Sequence, residues 1–119
     1  MILEGKVLKG LGKAGKAMSQ CIEGYKQIIG ETIFPGTFNI ELEENLYLIS
    51  PTIKSQGSRF WKVKIVKPKK VDVWIYQQGG SNMPDNQLQI ISQHQLRRYL
   101  GIGSNQTVTL DISNRHIRG

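Results

Sequence analysis

Phe34-Pro35-Gly36-Thr37-Phe38-Asn39-Ile40-Glu41-Leu42 is the stretch on which the reading of the fold turns. Pro-Gly makes a turn, and the residues after it alternate. Phe38, Ile40 and Leu42 are apolar, while Asn39 and Glu41 between them are polar. That period of two is the mark of a half-buried strand. It turns Phe38 and Ile40 toward a core and puts Thr37 and Asn39 together on the other face.

The same texture continues toward the C-terminus. Residues 46–49 are short and apolar, stopped by Ser50-Pro51. Residues 59–66 set Phe60, Trp61, Val63 and Ile65 against Lys62 and Lys64. Val71, Val73 and Ile75 then alternate with Asp72, Trp74 and Tyr76, and Lys67-Pro68-Lys69-Lys70 joins the pair. Residues 77–87 are polar, carry Gly79-Gly80 and Pro84, and read as a loop. Residues 88–91 read as a further strand. Ser92 resembles a helix N-cap, with Gln95 three positions on to complete a capping box. Leu96, Tyr99 and Leu100 give the short helix one apolar face, and Gly101 ends it. Residues 107–112 form a last strand on Val108, Leu110 and Ile112.

Toward the N-terminus, residues 2–8 read as a strand that ends at Gly10. Within residues 14–29, Met18, Ile22, Tyr25 and Ile29 keep a helical period. Gly24 weakens that helix and Gly30 ends it. Five to seven short strands with two small helices in 119 residues suggest a mainly β chain folded as a compact antiparallel barrel.

Composition bounds the class. The length suits one domain over residues 1–119, and 39% hydrophobic residues suffice for one core. No apolar run is long enough to span a membrane, and the start lacks the pattern of a secretory signal. The single cysteine, Cys21, excludes an internal disulfide and a four-cysteine zinc site, so a reduced, cytoplasmic compartment is expected. Sixteen Lys and Arg against nine Asp and Glu give a net charge of +7. That balance favours nucleic acid, a nucleotide or an acidic surface as partner, and a plain solvated basic surface accounts for it equally well.

Two segments carry candidate chemistry. Gly10-Leu11-Gly12-Lys13-Ala14-Gly15 matches G-x-G-x-x-G between a strand and a possible helix. Glycines there let backbone N–H groups approach a phosphate, although a structural glycine turn reads the same way. A dinucleotide fold needs parallel βαβ units, and the antiparallel alternation and short length oppose it. In the second segment Thr37 and Asn39 offer hard oxygen ligands on one strand face. Such oxygens suit Mg²⁺ when phosphate supplies the rest of the coordination shell. His94 precedes a helix face, His116 lies in a terminal segment read as a frayed tail, and Trp61 and Trp74 are assigned to packing. Cys21 is read as an inert apolar residue.

Together these segments resemble the archaeal-type CTP-dependent riboflavin kinases. The matching residues are Leu3-Glu4-Gly5-Lys6-Val7, Gly10-Leu11-Gly12, Pro35-Gly36-Thr37-Phe38-Asn39, and the strand and helix of residues 88–100 with Leu96-Arg97. Their order holds over nearly the whole chain. The resemblance implies a six-stranded cradle-loop β-barrel related to the RIFT barrels, with one or two short helices. It implies transfer of the γ-phosphate of CTP to the 5′-hydroxyl of riboflavin, giving FMN and CDP. A monomer is the expectation, although the sequence does not reveal the oligomeric state.

By that resemblance, residues 10–15 (Gly10, Leu11, Gly12, Lys13, Ala14 and Gly15) would wrap the nucleotide, with Lys13 or Lys16 supplying charge. His94, Gln95, Leu96 and Arg97 would complete the nucleotide site, and Thr37 and Asn39 would hold Mg²⁺. Ser81 stands where the family has a flavin-contacting threonine, and Gln89 where it has a glutamate. Gln89 keeps hydrogen-bonding capacity and loses a charge. The closing turn Gly103-Ser104-Asn105-Gln106 replaces a usual Gly-Asp pair, and Asn105 tolerates the left-handed conformation such a turn needs. The alternative is a binding module. Residues 96–102 and the following strand resemble the closing element of barrels that bind DNA, and a flavin or nucleotide binder without catalysis would be consistent with Gln89.

Overall fold

The computed structural model describes residues 1–10, 18, 21–80 and 83–118. The elements in chain order are β1 (Ile2–Val7), α1 (Ile22–Ile29), β2 (Phe38–Leu42), β3 (Ile53–Ser55), β4 (Ser58–Lys67), β5 (Val71–Gln78), β6 (Gln87–Ile91), α2 (Leu96–Leu100) and β7 (Thr107–Asp111). A 3-10 turn at Asn114–His116 follows. Every strand pairing is antiparallel, in the order β3-β4-β5-β6-β2-β1-β7. A further ladder joins β4 to β7 through Lys64↔Asp111, Ile65↔Leu110 and Lys67↔Thr109. That ladder closes β4, β5, β6, β2, β1 and β7 into a six-stranded barrel. The expected barrel is therefore present, with β3 as an addition outside it.

The length of β4 explains how one strand edge serves two neighbours. Its first residues, Ser58 to Phe60, pair with β3, and its later ones pair with β7. A register irregularity between Ile65 and Lys67 marks the bend into the closing ladder.

Alternation fills the interior. Val7, Phe38, Ile40, Trp61, Val63, Ile65, Ile75, Ile90 and Leu110 belong to one buried cluster inside the barrel. Trp61 is fully buried, and its indole N–H donates to Ile49 O at 2.9 Å, so burial leaves no unpaired donor. Gly5 is also interior. A Cβ there would lie 2.8 Å from Ile40 Cδ1 and 3.2 Å from Ile40 Cβ, so the glycine allows β1 and β2 to pack across Ile40.

A second cluster lies outside the barrel wall and was not expected from alternation. Phe60, Trp74, Tyr76 and Ile91 lie on the outer face of β4, β5 and β6, covered by Met18, Tyr25, Ile29 and Ile33. Phe60 and Trp61 are adjacent in sequence and both fully buried, one on each side of the sheet. Tyr25 meets Phe60 and Tyr76 edge-on, with centroids 6.4 and 5.8 Å apart. Trp74 donates to Glu31 Oε1 at 2.8 Å. α1 ends as expected at Gly30, in the left-handed region at φ 81°, whose amide donates to Lys26 O. Cys21 is exposed at the start of α1 and caps it without a side-chain hydrogen bond.

Two further expectations change. The capping box at Ser92 and Gln95 does not form. Gln95 is itself the N-cap of α2, its Oε1 accepting from Arg98 N at 2.6 Å, while Ser92 Oγ accepts from His94 N at 3.0 Å. The C-terminal segment is docked rather than frayed. Leu48 bridges to Ile117, Arg118 N donates to Tyr47 O, and His116 is 2% exposed. The His116 ring places Nδ1 2.8 Å from Ser50 O, so Nδ1 carries the proton it donates. The left-handed residue expected in the closing turn is present, with Asn105 at φ 69°.

Two outcomes follow from this packing. Gly5→Ala should lower the unfolding free energy by about 1–3 kcal/mol, because Ile40 has no room to withdraw. Urea unfolding reads this, and an unchanged midpoint would show that the interior yields. Burial, reinforced by the hydrogen bond with Tyr76, raises the Tyr25 phenol well above its ordinary value of 10.0. The unfolded chain therefore loses that proton first, and stability should fall as pH rises above about 10. Tyr25→Phe should flatten that alkaline slope in unfolding curves taken across the same range.

Candidate functional site

β2 lies between β1 and β6, and this order assembles the site. The register sets Asn39 opposite Gln89, the two side chains projecting from the outer face while Phe38 and Ile90 fill the barrel. On the other edge of β2, Leu8 N donates to Asn39 O at 2.9 Å. The turn Pro35-Gly36 then brings Thr37 beside Asn39.

A cavity of about 620 Å³ opens over these strands. Its lining includes Lys9, Gly10, Phe34, Thr37, Asn39, Gln89, His94, Gln95, Leu96, Arg97 and Ser104. It therefore unites sequence-chosen residues from four separate segments. The described lining holds two permanent cations, Lys9 and Arg97, and no Asp or Glu, which suits a polyanionic ligand.

Asn39 shows the strongest signal. Its Oδ1 is buried and, among the described residues, accepts no hydrogen bond. Leaving a buried acceptor unsatisfied costs about 1–3 kcal/mol, so a native site holds it ready for a partner. Among the described residues, no group of three or more His, Cys, Asp and Glu is placed to hold a metal. Neutral oxygens at Thr37 and Asn39 thus fit a hard cation that completes its shell with phosphate and water.

The remaining residues divide by task. Arg97 ties the site together, donating through Nη2 to Leu8 O and through Nη1 to Ser104 Oγ at 3.2 Å. Gln95 caps α2, and Leu96 is mostly core at 5% exposed. His94 stacks on Tyr99, with centroids 4.2 Å apart and planes 17° apart, and Lys69 Nζ lies 5.1 Å from the same ring centroid. Gln89 lines the large cavity and also a second one of about 170 Å³, which Tyr76, Gly80, Met83 and Asp85 help to form. Leu11, Gly12, Lys13, Ala14, Gly15 and Ser81 lie outside the described residues, as does Lys16.

Sequence reasoning missed Lys9, Phe34, Ser92 and Ser104 in the lining. Lys9 had a signal, since it immediately precedes Gly10. Ser92 and Ser104 had none beyond their place next to α2 and in the closing turn.

The short α2 depends on its unusual cap. Gln95→Ala should destabilise the protein by about 0.5–2 kcal/mol. The Arg98 amide should lose hydrogen-exchange protection first, and unchanged protection there would show that the cap bond contributes nothing.

The family model for the CTP-dependent riboflavin kinase domain, described as a domain of unknown function (DUF120), matches residues 7–112. A riboflavin kinase of Staphylothermus marinus is 23% identical over 125 residues, covering 92% of this chain and 90% of that protein. A riboflavin kinase of Pyrobaculum islandicum is 32% identical over 127 residues, covering 92% of this chain and 59% of that protein. A third, from Methanosarcina barkeri, is 42% identical over 65 residues, covering 46% of this chain and 28% of that protein. The chain thus spans nearly all of the first and less than two thirds of the other two.

Proposed function

The chain belongs to the CTP-dependent riboflavin kinase family, and we propose that it transfers the γ-phosphate of CTP to the 5′-hydroxyl of riboflavin, giving FMN and CDP. The observation that carries this reading is the unpartnered Asn39 Oδ1, buried in the wall of the large cavity opposite Gln89.

The division of roles follows from position. Lys9 and Arg97 give the cavity the charge that attracts the triphosphate, and among the described residues nothing lies within 4 Å of where a Cβ on Gly10 would stand. Thr37 and Asn39 would hold Mg²⁺ through their side-chain oxygens. When bound, the ion neutralises phosphate charge. Gln89 lines both cavities, and in this reading its amide orients the riboflavin hydroxyl.

In the transfer, the bond between the γ-phosphorus and the bridging oxygen breaks and CDP departs. A new bond forms to the riboflavin oxygen, whose proton passes to water. An amide cannot take that proton. Phosphoryl transfer through a loose transition state needs little base catalysis, and positioning with charge neutralisation supplies most of the rate. Gln89 is thus compatible with turnover.

Asn39→Ala and Thr37→Ala should each cut FMN formation at least about a hundredfold, the loss expected when electrostatic support of a transferring group is removed. Asn39→Ala should not change the fold, because among the described residues Asn39 Oδ1 makes no hydrogen bond that holds it, and circular dichroism checks that both variants fold. Wild-type turnover in both variants, measured by chromatographic separation of the flavins, would remove the metal assignment.

A further inference from the structure

Phe34 is 46% exposed, yet its backbone is braced. Its amide donates to Ser92 O at 2.8 Å. Ile33 before it is 1% exposed and anchored in the outer cluster, and Pro35 after it fixes the chain direction. Phe34 lines the large cavity. A large aromatic side chain held against water by a fixed backbone adds little to folding, and an exposed apolar surface at a cavity is a mark of ligand contact.

The two other rings in the described lining are already engaged. Phe38 is 6% exposed and packs inside the barrel, and His94 stacks on Tyr99. Phe34 alone among them presents an uncovered aromatic surface to the cavity. Its place is also polarised. Arg97 is bound to Leu8 just past β1, Asn39 is on β2, Gln89 is on β6, and Phe34 hangs from Ser92 just past β6. Since β1, β2 and β6 are consecutive neighbours, Leu8, which binds Arg97, and Ser92, which binds Phe34, flank β2 on its two sides. A ligand with phosphate at one end and a planar ring system beyond it matches that order.

We propose that Phe34 is a stacking platform for the planar nitrogen heterocycle of a ligand held in this cavity. The inference rests on the kinase reading above, under which two sources share that chemistry, the cytosine of CTP and the isoalloxazine of riboflavin. Stacking on an aromatic side chain needs a ring, whereas a merely apolar contact would accept any side chain of similar size.

The test uses the full chain and its variants Phe34→Leu and Phe34→Tyr. Equilibrium dialysis against CTP with Mg²⁺, and separately against riboflavin, gives the affinities. Phe34→Leu should weaken one of the two ligands about tenfold or more, and Phe34→Tyr should bind it close to the unmodified affinity. The protein has three phenylalanines, so ring-labelled phenylalanine gives few enough signals to follow, and Phe34→Leu assigns the relevant one. The same ligand should move the Phe34 ring signals upfield, and which ligand does so identifies the source. Unweakened binding of both ligands by Phe34→Leu, or ring signals unmoved by either, overturns the platform while leaving the kinase reading in place. Absence of binding of either ligand by the unmodified protein overturns the kinase reading and the platform with it.

Discussion

The ladder between β4 and β7 is the constraint on which the rest depends. Without it the strands form an open sheet with unpaired edges at β4 and β7. With it, the inner face becomes a closed interior that Trp61, Ile40 and their neighbours fill, and only the outer face remains to be used. Closure also fixes the stagger of the strands, because each must meet its neighbour around the ring. The position of β2 between β1 and β6 is therefore set by the barrel as a whole.

That order has a chemical consequence. Interior alternation forces Asn39 and Gln89 outward as a cross-strand pair. The segments just past β1, just before β2 and just past β6 then surround them, and these bring Lys9 and Gly10, Thr37, and Ser92 with His94. Arg97, past β6, ties that segment to Leu8 past β1 and to Ser104 in the closing turn. The wall is rigid where the strands run and is completed by loops at their ends, a common way to hold reacting groups within narrow limits. The outer aromatic cluster assists by pinning residues 30–33, which lead into Phe34 and Thr37.

Most of the barrel was legible because its strands carry a clean period of two. Phe38, Ile40 and Leu42 announce β2, and Val108 and Leu110 announce β7. The outer cluster was not legible for the same reason. Once Val73 and Ile75 are assigned to the core, Trp74 and Tyr76 fall on the other face of β5, and Phe60, read with the apolar face of β4, joins them there, with Trp61 inside in its stead. His116 was read as part of a tail because a single bridge at Leu48 and one side-chain hydrogen bond to Ser50 leave no periodic trace in sequence. Thr37, Asn39, Gln89 and Arg97 were chosen through resemblance, and the barrel brings all four to one cavity. Phe34 was quoted from the start as part of the turn, but its exposure depends on the brace at Ser92 and emerges only in three dimensions.

The central claim is that this wall supports phosphoryl transfer to riboflavin. Its most direct test is incubation of the purified protein with riboflavin and Mg²⁺, with CTP in one reaction and ATP in another, followed by chromatographic separation of the flavins. The account predicts FMN with CTP and far less with ATP. A folded protein that makes no FMN with either nucleotide would contradict it.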